Sequence, residues 1–160
     1  MNEFLWVEKY RPKKVEECVL STDLRKIFLN VVNKGELQNM MFTGTAGTGK
    51  TMLACNIATE HILKHPRARV VLTRPIVAAD EDMGYLPGDM DQKMEPWTKP
   101  MFDIFERYIT HNQMDRCIVI EPLGYMRGRT FDNTLIIADE MQNSTISQMK
   151  MLLTRLGENS

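Results

Sequence analysis

The chain has 160 residues, of which 43% are apolar and 26% charged, with a formal net charge of −1. These values predict a globular domain and exclude a protein that holds nucleic acid through overall positive charge. We find no apolar run of about 18 residues and no basic-then-apolar start, so we expect neither a membrane span nor a secretory signal. Cys18, Cys55 and Cys117 show no metal or disulfide spacing and predict buried thiols in a cytoplasmic protein.

The first third of the chain predicts an irregular arm, a helix and a strand. Residues 1–20 form the arm. Ser21 or Thr22 can cap a helix that Gly35 terminates. Its apolar face recurs at helical spacing and comprises Leu24, Ile27, Phe28, Val31 and Val32. The short apolar run Met40–Thr43 predicts a buried strand that leads into a glycine-rich loop.

That loop matches the phosphate-binding pattern G-x-x-x-x-G-K-[ST] in full. Its glycines allow positive φ, so that backbone N–H groups can approach a polyphosphate at a helix N-terminus. Lys50 is suited to the β- and γ-phosphates, and the Thr51 hydroxyl is suited to Mg²⁺. The residues of this predicted binding loop are Gly44, Thr45, Ala46, Gly47, Thr48, Gly49, Lys50 and Thr51.

Beyond the loop, helices alternate with short strands. A helix over 50–64 ends before Pro66, and the strand Arg69–Thr73 stops at Pro75. Residues 78–100 predict a long acidic loop, of a length typical of functional or disordered segments. Pro100 suits the first turn of the next helix, whose apolar face extends to Ile109. A third strand is predicted at Cys117–Ile120.

The final segment predicts a strand and a capped helix. After a turn-rich stretch at 124–130 comes the strand Thr134–Ala138, then the helix Ile146–Leu156 with Thr145 and Gln148 as a capping box and Gly157 as its stop. This alternation predicts a parallel sheet with helices on both faces. Ligands of such sheets bind at the carboxyl ends of the strands.

Two acids follow the last predicted strand. Asp139 can hold Mg²⁺, directly or through water, and Glu140 can orient and deprotonate an attacking water. Gln142 is either a sensor of the γ-phosphate or a surface amide. An acidic pair alone is typical of a solvated loop, but together with the glycine loop it predicts an ATPase.

Three arginines are candidates for phosphate recognition, on nucleotide or nucleic acid. Arg74 ends a predicted strand, while Arg127 and Arg129 flank Gly128 in a loop. A guanidinium there can meet a phosphate bidentately. The alternative for each is an ordinary surface arginine.

Six segments resemble the PhoH-like ATPases, a family named for phosphate-starvation induction, over about residues 39–160. They are Thr43–Thr51, Val71–Pro75, Gly84–Asp89, Tyr125–Thr130, Asp139–Asn143 and Gln148–Gly157. The family's core is similar to one RecA-like lobe of superfamily 1 helicases. The resemblance therefore implies a P-loop NTPase with a three-layer α/β/α fold and a parallel sheet, helicase-like in type.

The same resemblance implies roles and partners. The loop would be a Walker A motif, Asp139–Gln142 a Walker B motif, and Leu72–Pro75 a nucleic-acid contact. ATP and Mg²⁺ are the implied ligands. Because family members are linked to RNA metabolism and related ATPases form rings, the implied partners are RNA or single-stranded DNA and other ATPase subunits, including copies of this chain.

The first 38 residues resemble a different group. Trp6–Pro12 is similar to the start of clamp-loader ATPases of the replication factor C type, including the phage version. This resemblance implies a separate N-terminal arm and helix over 1–38, with Tyr10, Arg11 and Pro12 near the adenine base. It also implies the cytoplasm of a bacterium or of a phage-infected host.

A PhoH-like core normally continues into a strand with a Gly-Asp motif and then to an arginine that completes a neighbour's site. Neither precedes Ser160, so the resemblance predicts a C-terminally truncated core with an exposed sheet edge. Three functions stay open. They are a Mg²⁺-dependent ATPase coupled to RNA or single-stranded DNA, a clamp-loader-like ATP-binding interaction module with little hydrolysis, and a nucleotide or nucleoside kinase, for which no acceptor site is marked.

Overall fold

The computed structural model describes residues 15–17, 19–34, 39–44, 47–65, 67–75 and 90–160. It divides into two compact units, Met1–Met40 and Met41–Ser160. Tyr10, Arg11 and Pro12 of the predicted arm lie outside the described residues, as do Thr45, Ala46 and the part of the acidic stretch before residue 90.

The smaller unit contains a 3₁₀ turn, Val15–Glu17, and helix α1, Thr22–Lys34. Ser21 caps α1, because its hydroxyl accepts a hydrogen bond from the Leu24 amide at 3.4 Å. Phe28 is buried, but Leu24 and Ile27 are 46% and 52% exposed. The predicted apolar face is therefore too wide, since a unit of this size has little apolar surface with which to cover it.

The larger unit carries the sheet. Its helices and strands are α2 (Lys50–Lys64), β1 (Arg69–Thr73), α3 (Met90–Phe105), α4 (His111–Cys117), β2 (Ile118–Ile120), β3 (Thr134–Ala138) and α5 (Ile146–Leu153). In the described part of the chain, the strands form a parallel sheet in the order β2-β1-β3. The predicted α/β class is confirmed, and β1 lies at the centre of the sheet.

Apolar side chains cover both faces of this sheet. Val70 and Leu72 of β1 belong to the larger core cluster, which also holds residues of α2, α3 and α4. Val71, between them, belongs to a second cluster with Leu152 of α5. Because successive strand residues point to opposite faces, this alternation separates two helical layers. The predicted three-layer α/β/α arrangement follows from it.

The strand predicted at Met40–Thr43 is absent from the described structure. Residues 39–44 take part in no ladder there, and Met41 is 80% exposed. A strand exists only where a second strand pairs with it, and a run of three apolar residues does not specify that partner.

Helix α3 begins ten residues before the predicted start at Pro100, so the end of the predicted acidic loop is helical. Both Pro96 and Pro100 lie inside this helix, where each removes a backbone donor. A stripe of buried side chains at helical spacing stabilises it nonetheless: Met94, Thr98, Met101 and Phe105. The burial of this stripe outweighs the proline penalty.

Helix α5 ends at Leu153, three residues before the predicted end. Leu156 instead forms a parallel bridge with Phe131, and the Gly157 amide donates to the Phe131 carbonyl at 2.9 Å. A Cβ on Gly157 would clash with Asp132 Oδ1. Gly157 is therefore required for close contact with residues 131–132, and its predicted role as a helix stop is wrong.

No helix within the described ranges combines the length and apolar character needed to cross a bilayer.

Candidate functional site

The glycine loop joins residues 39–44 to the first turn of α2. Gly47 and Gly49 have φ values of 81° and 78°, in the left-handed region that favours glycine. Gly49 is the N-cap of α2, so the loop leads directly into the first helical turn, whose backbone N–H groups point back towards the loop. Such an end carries partial positive charge, which suits an anionic ligand.

Lys50 folds back onto the loop. Its ammonium donates to the Gly44 carbonyl at 2.8 Å and lies 3.5 Å from the Thr48 hydroxyl. A Cβ at Gly44 would lie 3.0 Å from Thr48 Oγ1, so a glycine keeps this approach open. The loop and its lysine thus form one hydrogen-bonded unit.

The loop meets the acidic pair through Thr51. Thr51 Oγ1 donates to Asp139 Oδ1 at 3.4 Å, across a sequence separation of 88 residues. Asp139 directly follows β3, and its amide donates to the Thr73 carbonyl at 2.9 Å. The structure therefore brings the predicted phosphate loop and the predicted acid together at the carboxyl edge of the sheet.

Asp139 is half-buried, and burial raises the pKa of its carboxyl above the usual value. The backbone hydrogen bond from Glu140 opposes this rise, the Glu140 charge adds to it, and Thr51 and Arg74 oppose it. The carboxylate is thus poorly solvated, and its negative charge is only partly compensated by its neighbours, as expected of a carboxylate that binds a cation.

Glu140 lies beside Asp139 and is exposed. Its φ of 52° and ψ of 30° place a non-glycine residue in the left-handed region, a local strain found often at functional sites. The Gln142 side-chain amide donates to Glu140 Oε2. Gln142, predicted as either a γ-phosphate sensor or a surface amide, is exposed and contacts the Glu140 carboxylate.

Arg74 follows β1 and is half-buried at the same edge. Its guanidinium carbon lies 5.4 Å from the centre of the Trp97 ring, within cation–π distance. Trp97, on α3, packs against the larger core cluster. The sequence analysis did not identify Trp97, although the helical spacing of Met94, Thr98 and Met101 around it was visible.

The other two arginines occupy different surroundings. Arg129 forms an ion pair with Glu121, the residue after β2, and stacks over the Phe131 ring at 5.0 Å. Arg127 is exposed, as is Tyr125 two residues before it. The ion pair of Arg129 was not predicted, because it joins residues that only the sheet brings together.

Cys55 and Cys117 are buried and free, as expected. Burial, with a smaller contribution from the Asp139 charge, raises the pKa of the Cys55 thiol to about 12. A thiol with that pKa is inert at neutral pH. Cys18 lies outside the described residues.

The donor set fits a magnesium ion bound with a nucleotide. Mg²⁺ prefers oxygen ligands at about 2.0–2.1 Å and usually takes only one or two from the protein, the rest coming from phosphate and water. Thr51 Oγ1 and Asp139 Oδ1, 3.4 Å apart, are close enough to contact one such ion. The described residues contain no cluster of three or more His, Cys, Asp and Glu that could hold a metal ion.

Comparison with known proteins identifies relatives. The chain matches the family described as PhoH-like protein over residues 20–160. It is 44% identical to Protein PhoH of Escherichia coli (strain K12) over 132 residues, which cover 78% of this chain and 37% of that protein. It is 48% identical to a PhoH-like protein of Bacillus subtilis (strain 168) over 120 residues, which cover 71% of this chain and 37% of that protein.

A third relative gives the same result. A PhoH-like protein of Synechocystis is 47% identical over 119 residues, which cover 71% of this chain and 36% of that protein. The chain therefore spans little more than a third of the length of these relatives.

Proposed function

Given that this chain belongs to the PhoH-like protein family, we propose that it is a Mg²⁺-dependent ATPase whose turnover is coupled to RNA or single-stranded DNA. Family membership supports an ATP-binding P-loop protein, and the resemblance predicted over residues 39–160 is confirmed. Hydrolysis, the metal and the nucleic acid are the proposal.

One observation carries it. Thr51 Oγ1 and Asp139 Oδ1 lie 3.4 Å apart, although 88 residues separate them. A threonine that only stabilises the first turn of a helix does not require a half-buried carboxylate beside it. A metal ion bound with a triphosphate does require such a pair, namely a hydroxyl from the loop and a carboxylate at the end of a strand. The contact supports a nucleotide site at this edge of the sheet.

Each residue of the site then has a role. Lys50 and the amides of the loop bind the β- and γ-phosphates, while Thr51 and Asp139 would hold Mg²⁺, which would neutralise phosphate charge. Glu140 accepts the proton of a water whose oxygen attacks the γ-phosphorus. The bond from that phosphorus to the bridging oxygen breaks, and ADP and phosphate leave. Gln142 orients Glu140 through their hydrogen bond.

The nucleic-acid part of the proposal rests on residues near the carboxyl edge of the sheet. Tyr125 and Arg127, two residues apart in sequence, are both exposed, and Arg129 lies beside Glu121 at the carboxyl end of β2. An exposed guanidinium and an exposed ring suit the phosphates and bases of a single strand. Since the net charge of the whole chain is −1, such binding would depend on this local patch.

The direct test is ATP hydrolysis by the full chain, with and without single-stranded RNA and DNA. We expect Mg²⁺-dependent release of phosphate that Lys50→Ala lowers by a factor on the order of 100 or more, since the lysine acts on the transferred phosphate. Equal rates with Lys50 and with alanine at this position would contradict the proposal. Arg127→Ala should weaken the stimulation by nucleic acid while the basal rate stays unchanged.

A second candidate is an ATP-binding interaction module with little hydrolysis of its own, acting with other ATPase subunits or copies of this chain. The surface of α5 favours it. Ile146 is 91% exposed and, with Met149 and Leu153, lies on one side of the helix, close to Met141 beside the acidic pair. Full hydrolysis by the isolated chain as a monomer would exclude this candidate.

A further inference from the structure

Arg74 lies closer to the acidic pair than its place in the sequence suggests. β1 and β3 are in parallel register up to the pair Thr73 and Ala138, and the Asp139 amide continues the ladder by donating to the Thr73 carbonyl. Arg74 and Asp139 are the next residues on these strands. Neighbouring strands are about 4.8 Å apart, so the backbone of Arg74 adjoins that of Asp139.

Arg74 is half-buried at the edge of the sheet that also carries Asp139. Asp139 in turn contacts Thr51, next to the loop lysine. Lys50 adjoins Thr51 in sequence and Arg74 adjoins Asp139 across the sheet, so a cation is next to each member of the Thr51–Asp139 contact.

The contact between Arg74 and Trp97 is of a kind that a ligand can replace. The ring is fixed, because Trp97 packs against the core, and the guanidinium lies over it at 5.4 Å. A guanidinium stacked on a ring keeps its N–H donors, and hydrogen bonds from those donors to a phosphate are stronger than the stacking interaction.

Charge balance provides the reason for a second cation. A nucleoside triphosphate brings its terminal phosphate to an edge that already carries Asp139 and Glu140, and a diphosphate does not. Close negative charges repel unless cations lie between them. Lys50 and a metal ion compensate part of this negative charge, and Arg74 is positioned to compensate the rest.

We propose that Arg74 is a phosphate-binding residue of the nucleotide site. When a nucleoside triphosphate binds, the Arg74 guanidinium leaves the Trp97 ring and contacts the terminal phosphate. This contact distinguishes a triphosphate from a diphosphate. This inference rests on the proposed function, since it requires a nucleotide at the loop. It assigns Arg74 to the nucleotide rather than to nucleic acid, two alternatives that the sequence analysis left open.

Tryptophan fluorescence gives a direct test. The chain has two tryptophans, and Trp6→Phe leaves Trp97 as the single reporter in the full chain. We expect the Trp97 emission to change when a non-hydrolysable ATP analogue with Mg²⁺ is added, and to change much less with ADP and Mg²⁺. Arg74→Ala should abolish the difference between the two nucleotides, because no guanidinium then leaves the ring.

Binding affinities give a second readout. Arg74→Ala should weaken binding of the ATP analogue roughly ten-fold or more and binding of ADP by no more than about two-fold, as expected from the loss of charge-assisted hydrogen bonds. Arg74→Gln, which keeps most of the side-chain stem, should behave alike and provides the test if the alanine variant does not fold. Arg116 is an exposed arginine on α4, and Arg116→Ala is the matched control. This variant should bind the ATP analogue and ADP with the same affinities as the parent chain.

The outcomes separate the two proposals. If Lys50→Ala leaves binding of both nucleotides unchanged, the proposed function fails. If Lys50→Ala abolishes binding but the Arg74 variants keep the parent ratio of analogue to ADP affinity, the function stands and this inference is wrong. The inference would also be wrong if the Arg74 variants changed the affinity for single-stranded RNA or DNA and left the affinities for both nucleotides unchanged.

Discussion

At the scale of single residues, Asp139 carries a cost in stability that its proposed role in binding a metal ion would explain. Its carboxyl is half-buried beside Glu140, and burial raises its pKa. An ionised group in that position is unfavourable for the folded chain unless a cation accompanies it. A site that must attract a metal is expected to carry such a cost.

We therefore predict that Asp139→Asn stabilises the metal-free protein at neutral pH. Because the folded pKa is raised, the folded chain holds this proton more strongly than the unfolded chain does. The contribution of Asp139 to the free energy of unfolding is fully present below the ordinary aspartate pKa and is lost as pH rises through the raised pKa. The advantage of the asparagine variant should thus be larger at pH 7 than at pH values near the ordinary aspartate pKa.

Urea unfolding at several pH values measures this effect. Asp115→Asn, at an exposed position on α4, controls for the removal of a carboxylate in general. A variant that is less stable than the parent at pH 7, or a difference that does not narrow as pH falls, would contradict the prediction. The same variant should lose Mg²⁺-dependent nucleotide binding.

At the scale of elements, local sequence rules predicted the structure best where side chains at the end of a helix form hydrogen bonds with its backbone amides. The capping box predicted at Thr145 and Gln148 forms in both directions, with the Gln148 amide donating to Thr145 Oγ1 at 3.2 Å and the Thr145 amide to Gln148 Oε1 at 2.8 Å. This cap sets the start of α5 just after Glu140 and Gln142. The first α-helix after the acidic pair is thereby anchored at its N-terminus.

Loss of this cap should weaken the protein measurably. We predict that Thr145→Ala lowers the free energy of unfolding by about 1 kcal/mol, the usual cost of removing an N-cap hydroxyl. Thr145→Ser keeps an acceptor oxygen and should retain most of the stability. Chemical denaturation of both variants measures the difference, and a serine variant as unstable as the alanine variant would show that the hydroxyl is not the cause.

At the scale of the whole molecule, the site exists because three distant segments meet at one edge of the sheet. The loop and α2 bring Lys50 and Thr51, β1 brings Arg74, and β3 brings Asp139. A ligand that binds all three segments binds only the folded chain. Such a ligand shifts the folding equilibrium by mass action.

We predict that ATP with Mg²⁺ raises the melting temperature of the full chain. At a concentration about 100 times the Kd the stabilisation is about 2.7 kcal/mol, which corresponds to roughly 5–10 °C for a chain of this size. Thermal unfolding with and without the nucleotide measures it. An equal rise in the Lys50→Ala variant would show that the nucleotide binds somewhere other than the loop.

Much of the fold and of the site could be predicted before the structure was known. The loop pattern, the strands Arg69–Thr73 and Thr134–Ala138, helix α2 and the cap of α5 depend on short-range rules of spacing, capping and φ, and they lie where those rules place them. The start of α3, the missing strand at 40–43 and the contacts of Gly157 were predicted wrongly. Each of these depends on a partner distant in sequence.

The amino-acid sequence by itself determined the class of fold, the family and the chemical types of the candidate site residues, because those follow from local pattern and residue identity. Only the tertiary structure decided which of these residues meet. It joined Thr51 to Asp139, tied Gln142 to Glu140, paired Arg129 with Glu121 and set Arg74 over Trp97. The physical reason is that these contacts arise from strand register and helix packing, which depend on the burial of both sheet faces together.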